Sequence, residues 1–123
     1  MSREVLDLSG RGLTELPDLS NYTDVIHLRC DHNQLTTFEN VKWPPSLREL
    51  YCSNNRLTSL DTLPSSLIQL CCINNLLSSL DHLPPTLTCL YCVNNPFSYP
   101  FQPITLQAIR DYNTNLANLY LLK

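Results

Sequence analysis

The sequence predicts an α/β repeat solenoid: a parallel β-sheet on the concave side, an irregular convex side and a C-terminal helical cap. Three observations predict it. Apolar positions recur at a fixed period, a cysteine and an asparagine keep the same register within each copy, and proline-bearing links join the copies.

The frame is legible residue by residue. Val25-x-x-Leu28-x-Cys30-x-x-Asn33-x-Leu35 recurs from Leu47 to Leu57, from Leu67 to Leu77, and from Leu87 to Phe97, while Leu6-x-Leu8-x-x-Arg11-x-Leu13 is an earlier, degenerate copy. The step from Arg11 to Asn33 is 22 residues, as is that from Asn33 to Asn55; Asn75 and Asn95 follow at steps of 20. About five repeats therefore fill residues 1–100, and residues 101–123 form a cap or tail.

Each Leu-x-Cys piece reads as a strand in which alternate side chains face opposite ways. Leu50 and Cys52 then point inward while Glu49, Tyr51 and Ser53 point outward. Asn33, Asn55, Asn75 and Asn95 stand where each strand bends away, and an amide there can both donate to and accept from the backbone of the bend. Convex links such as "SLDTLPSSL" contain proline, which removes a donor and sets an extended course. No single turn can bury its apolar edge alone, so the turns must stack.

At these residues the chain resembles the leucine-rich repeat family, from about Val5 to Phe97. The links "LTSLDTLPSSL" and "LSSLDHLPPTL" resemble the short Leu-Pro-x-x-Leu repeats of secreted bacterial effectors, and also repeat proteins encoded by large viruses of amoebae. Asp61 and Asp81 depart from the effector pattern, where a first proline is usual; Leu16-Pro17 keeps it. The resemblance implies a protein-binding module using its concave face, with a host protein as partner if the source is viral or an effector.

Cys30, Cys52, Cys72 and Cys92 occupy one inward position in successive turns, which makes them a column of small apolar side chains in the core. Zinc needs ligands converging on one point, whereas equivalent positions on successive strands form a line with steps of about 4.8 Å. Cys89-x-x-Cys92 has the spacing of a metal half-motif, but three residues apart on a strand they face opposite sides. Reduced structural thiols are the favoured reading, with disulfides and metal ligation as the alternatives; no metal or cofactor is expected.

Outward positions supply the candidate binding surface. The central column runs Asp7, Arg29, Tyr51, Cys71, Tyr91; the one before it holds His27, Glu49, Gln69 and Cys89; the one after it holds Asp31, Ser53, Ile73 and Val93. Charge at one end gives way to aromatic and apolar groups at the other, the composition of a protein-binding surface. Tyr51 and Tyr91 are the expected anchors and Arg29 the polar specificity element. A plain cross-strand ion pair between Asp7 and Arg29 is the alternative use of those two residues.

Composition excludes other classes. The 123 residues carry a net charge of −3 and no Lys/Arg cluster, so nucleic acid and acidic membrane surfaces are not expected partners. No run reaches the ~18 apolar residues of a membrane span. The N-terminus lacks the apolar core of a secretory signal, and a cytoplasmic location follows as an expectation (host cytoplasm or virion for a viral source). His27, Arg29 and Asp31 share a strand face and could do acid–base chemistry. With two glycines, no nucleophile elbow and no metal-ligand cluster, an enzyme is not expected.

The ends of the stack complete the reading. "ITLQAIRDY" is expected to cap the last turn as a helix. "NTNLANLYLLK", with Leu116, Leu119 and Tyr120 at helical spacing and Leu121 and Leu122 beyond, is either a second cap helix or an adhesive tail. A homodimer through the N-terminal edge or this tail is the expected form of self-association. A scaffold role through self-association is the alternative to protein binding.

Overall fold

The computed structural model describes residues 4–121, with side chains to residue 119. Five three-residue strands run in sequence order, β1 (Val5–Asp7), β2 (His27–Arg29), β3 (Glu49–Tyr51), β4 (Gln69–Cys71) and β5 (Cys89–Tyr91), followed by one helix, α1 (Leu106–Leu121). The strands form a single parallel sheet in the order β1-β2-β3-β4-β5. Its register places each residue against its counterpart one repeat later: Leu6, Leu28, Leu50, Leu70 and Leu90 face one another in series. A one-residue slip would turn the leucine and cysteine columns to water, so the pattern fixes the pairing.

The core is the stack of these columns. Leu28, Leu50 and Leu70 are fully buried, as are Leu35, Leu57 and Leu77 after the bend, and Leu47 and Leu67 before the strand. On the convex side Phe38, Leu60 and Leu80 continue the interior, and Trp43 packs edge-on against Phe38 at 4.9 Å. Trp43 also donates its indole N–H to the Thr62 carbonyl at 3.0 Å, tying two convex links together. Each later link re-enters the sheet through a tight turn opened by proline: the amides of Leu47, Leu67 and Leu87 donate to the carbonyls of Pro44, Pro64 and Pro84.

Two devices make each strand bend. The first is the asparagine ladder. Asn55 Nδ2 donates to the carbonyls of Cys30 and Cys52 at 3.0 and 3.2 Å, and its Oδ1 accepts the Leu35 amide at 3.0 Å. Asn33, Asn75 and Asn95 repeat the arrangement one turn before and after. The second device sits one residue earlier. Gly10, His32, Asn54, Asn74 and Asn94 all have φ between 56° and 66°, a left-handed conformation open to Gly and tolerated best by Asn, Asp and His.

The paired asparagines thus divide the work, the first bending the backbone and the second satisfying it. Sequence reasoning assigned the bend to the second alone. The signal was present in the composition of the first column, Gly, His, Asn, Asn, Asn.

Helix α1 is capped by the preceding Thr105, whose hydroxyl accepts the Ala108 amide at 3.1 Å. Ile109 is fully buried. Arg110 donates to the carbonyls of Leu87 and Pro84 at 2.8 and 3.0 Å, and Asn113 to that of Leu80 at 3.0 Å. An aromatic group of Phe97, Tyr99, Phe101 and Tyr112 fills the space between helix and last turn. The chain from Leu106 to Leu121 is one continuous helix, so the expected second cap helix is not a separate element. Leu116 and Leu119, at 41% and 57% exposure, stand clear of the core. The side chains of Tyr120, Leu121 and Leu122 lie outside the described residues.

Candidate functional site: the concave face

The five strands bring the outward columns together, but the two halves of the face differ in kind. On β2 and β3 the side chains are linked to one another. His27 Nε2 lies 3.3 Å from a Glu49 carboxylate oxygen. The other oxygen of Glu49 accepts the Tyr51 hydroxyl at 2.5 Å, and Gln69 donates to the same hydroxyl at 3.2 Å. The Arg29 guanidinium lies over the Tyr51 ring, 4.5 Å from its centre, a cation–π geometry.

Arg29 does not take the ion-pair alternative with Asp7. Among the described residues the two make no contact within ion-pair distance. Asp7 instead accepts the Ser9 amide at 2.9 Å, and the Ser9 contacts hold its carboxyl below the usual range, with the charge of Arg29 a smaller contribution.

Tyr51 is therefore held by Glu49, Gln69 and Arg29. Its phenol is pushed up to about 12, first because Glu49 accepts its proton, then because of burial. The protonated form is the one the fold favours, so any stability it lends is full below about pH 10 and fades as pH rises through the raised value. Glu49→Gln should move Tyr51 ionisation to lower pH. An alkaline titration of phenolate absorbance, compared with Tyr51→Phe, checks this; an unchanged midpoint would contradict the assignment.

The β4–β5 half is less tied down. Cys71, Ile73 and Cys89 are half-buried, and Tyr91 and Val93 are 51% and 64% exposed. The hydrogen bond with Cys89 is the first reason the Tyr91 phenol is raised. Ser53 is more covered than an outward position on the face suggests. It is 8% exposed, its hydroxyl accepting the Ile73 amide at 3.1 Å and lying 3.2 Å from the Cys71 sulfur. Asp31 accepts the Ser53 amide at 2.7 Å, so it braces the strand end. Along the rim, the first-column amides form a surface ladder, Asn74 donating to Asn54 at 2.6 Å.

The six cysteines are free thiols of two kinds. Cys30, Cys52, Cys72 and Cys92 are buried in line, and burial raises each of their thiols above its ordinary value. Cys71 and Cys89 are partly accessible on the concave face. Among the described residues no three His, Cys, Asp or Glu side chains converge as metal ligands would. A thiol-reactive label at neutral pH should mark Cys71 and Cys89 in the folded protein and the other four only on unfolding. Peptide mapping by mass checks this, and native labelling of Cys52 would contradict the burial.

No protein-family model matches the chain, and no curated protein does. Solved structures do. The structure of the Drosophila melanogaster SNF/U2A′ complex superposes with a TM-score of 0.69 at 19% identity, covering 93% of this chain and 86% of that one. A Shigella effector LRR domain superposes with a TM-score of 0.54 at 26% identity over 82% of this chain, which spans 55% of that domain's chain. The fold is the leucine-rich-repeat solenoid: a parallel five-stranded sheet, short turns and one C-terminal helix.

Proposed function

We propose that the chain is a non-catalytic protein-interaction module whose partner docks on the concave face, with Tyr91 as anchor. One observation carries the reading: Tyr91 and Val93 are exposed apolar groups on the last strand, beside half-buried Cys71 and Ile73. An apolar patch bordered by the polar cluster of His27, Arg29, Glu49, Tyr51 and Gln69 has the layout of an interface core with its rim. Tyr51 and Tyr91 are then unequal. Tyr51 is a fixed platform that orients Arg29, and Tyr91 is the side chain a partner would cover. That the solenoid of one similar structure belongs to a protein complex fits this reading.

The test is a pull-down with Tyr91→Ala, Tyr51→Phe and an exposed control off the sheet, Gln34→Ala. Loss of a specific partner with Tyr91→Ala, retained with Gln34→Ala, is the expected result. Equal capture by all three variants would remove the concave face from consideration. A second reading, a scaffold acting through self-association, has its own observation in exposed Leu116 and Leu119 of α1. Sedimentation of a Leu116→Gln/Leu119→Gln variant separates the two: a change of oligomer size with unchanged partner capture would assign that surface to self-association.

A further inference from the structure

The two rungs that join each strand to the next are the same throughout the sheet. Leu8, Cys30, Cys52 and Cys72 donate their backbone N–H to Arg29, Tyr51, Cys71 and Tyr91, at 2.7 to 2.8 Å. Two residues on, Gly10, His32, Asn54 and Asn74 donate theirs to Asp31, Ser53, Ile73 and Val93, at 2.9 to 3.0 Å.

In the last turn the equivalent donors are Cys92 and Asn94. Among the described residues neither has an acceptor, although Cys92 is only 5% exposed. Main-chain donors left without a protein acceptor along an outer strand are the mark of an open sheet edge. The apolar side of the same edge is also incomplete. Leu90 and Phe97 are partly buried, whereas their counterparts Leu70 and Leu77 are fully buried.

A cleft of about 330 Å³ runs along this edge, lined by residues 92–95 and Phe97 on one wall and Gln102–Ile104 on the other. Pro96 stands where Gln34, Arg56 and Leu76 use their amides to reach the previous turn, so the last turn lacks that inward bond as well.

We propose that the outer edge of β5 is a docking site for an extended segment of a partner protein, which adds to the sheet as a sixth parallel strand. The chemistry required of that segment is specific. It must present backbone carbonyls two residues apart, about 6.6 Å in an extended chain, to Cys92 and Asn94. Small or medium apolar side chains at alternate positions would close over Leu90 and Ile104. This is strand addition at a sheet edge, in which main-chain bonds give affinity and alternate side chains give selectivity. Val93 lines this cleft and also belongs to the Tyr91 patch, but the main-chain donors of the edge do not involve the Tyr91 side chain.

The probe is a synthetic peptide copying residues 67–75, "LIQLCCINN", whose own repeat carries the required pattern; it is kept reduced. Amide exchange is followed by NMR. In the free protein Cys92 and Asn94 should exchange at least about tenfold faster than Cys72 and Asn74, and the peptide should slow both by a similar factor. A scrambled peptide should do neither, and Tyr91→Ala should leave the effect intact. The proposal is overturned if Cys92 and Asn94 are already protected in the monomer, or if saturating peptide leaves them unchanged. It is equally overturned if protection appears without peptide as the protein self-associates, which would make the occupant a second copy.

Discussion

Leu70→Ala should destabilise the protein by about 3–4 kcal/mol, the range for a leucine removed from a core that cannot collapse around the gap. Leu70 is fully buried on β4, directly between Leu50 and Leu90. A solenoid transmits stability only through contacts between neighbouring turns, so a cavity here also weakens the link that holds β5 and α1 to the rest. Leu6→Ala provides the comparison. Leu6 is the same column position on the first strand but only partly buried, and its loss should cost less than half as much. Urea denaturation of both variants checks this. The Leu70 variant should also show a separate, earlier loss of protection in residues 87–113 by hydrogen exchange. Equal costs for the two leucines would mean that the turns do not share a continuous core.

How much of this could be read in advance follows from what periodicity encodes. Side-chain direction is encoded, since a leucine at every equivalent position has one physical reason to be there. The strands, their parallel order and the buried cysteine column were therefore legible from Leu28, Cys30, Asn33 and their counterparts. What a given outward side chain touches is not encoded. Tyr51 and Tyr91 occupy the same column, yet Glu49 and Gln69 hold one while the other stands half exposed. That difference lies in cross-strand neighbours, which the period does not constrain. The burial of Ser53 was hidden for the same reason, because it depends on Asp31 and Cys71 from adjacent turns. The open edge at Cys92 was half legible. The sequence points to a helical cap over the last turn, but only the structure shows which main-chain donors that cap leaves over.

Asn75→Ala should cost about 3 kcal/mol, and Asn95→Ala distinctly less. The Asn75 side chain accepts the buried Leu57 amide at 3.0 Å and donates to the Cys52 and Cys72 carbonyls at 3.1 and 3.2 Å. Truncation leaves these groups without partners in a site that is 5% exposed, and each buried unsatisfied group costs about 1–3 kcal/mol. Asn95 makes the same set of bonds but sits in the last turn, partly exposed, where water can replace the lost amide. Asn75→Asp isolates the donor half of the interaction. The oxygen that accepts from Leu57 is kept, while the groups that donate to Cys52 and Cys72 are exchanged for one that repels their carbonyls. At neutral pH this variant should be at least as unstable as the alanine, and it should recover partly as acid protonates the carboxyl. Urea midpoints for the three variants at two pH values check the series. An Asn75→Asp protein as stable as the wild type would show that accepting the Leu57 amide is the whole of what the ladder does.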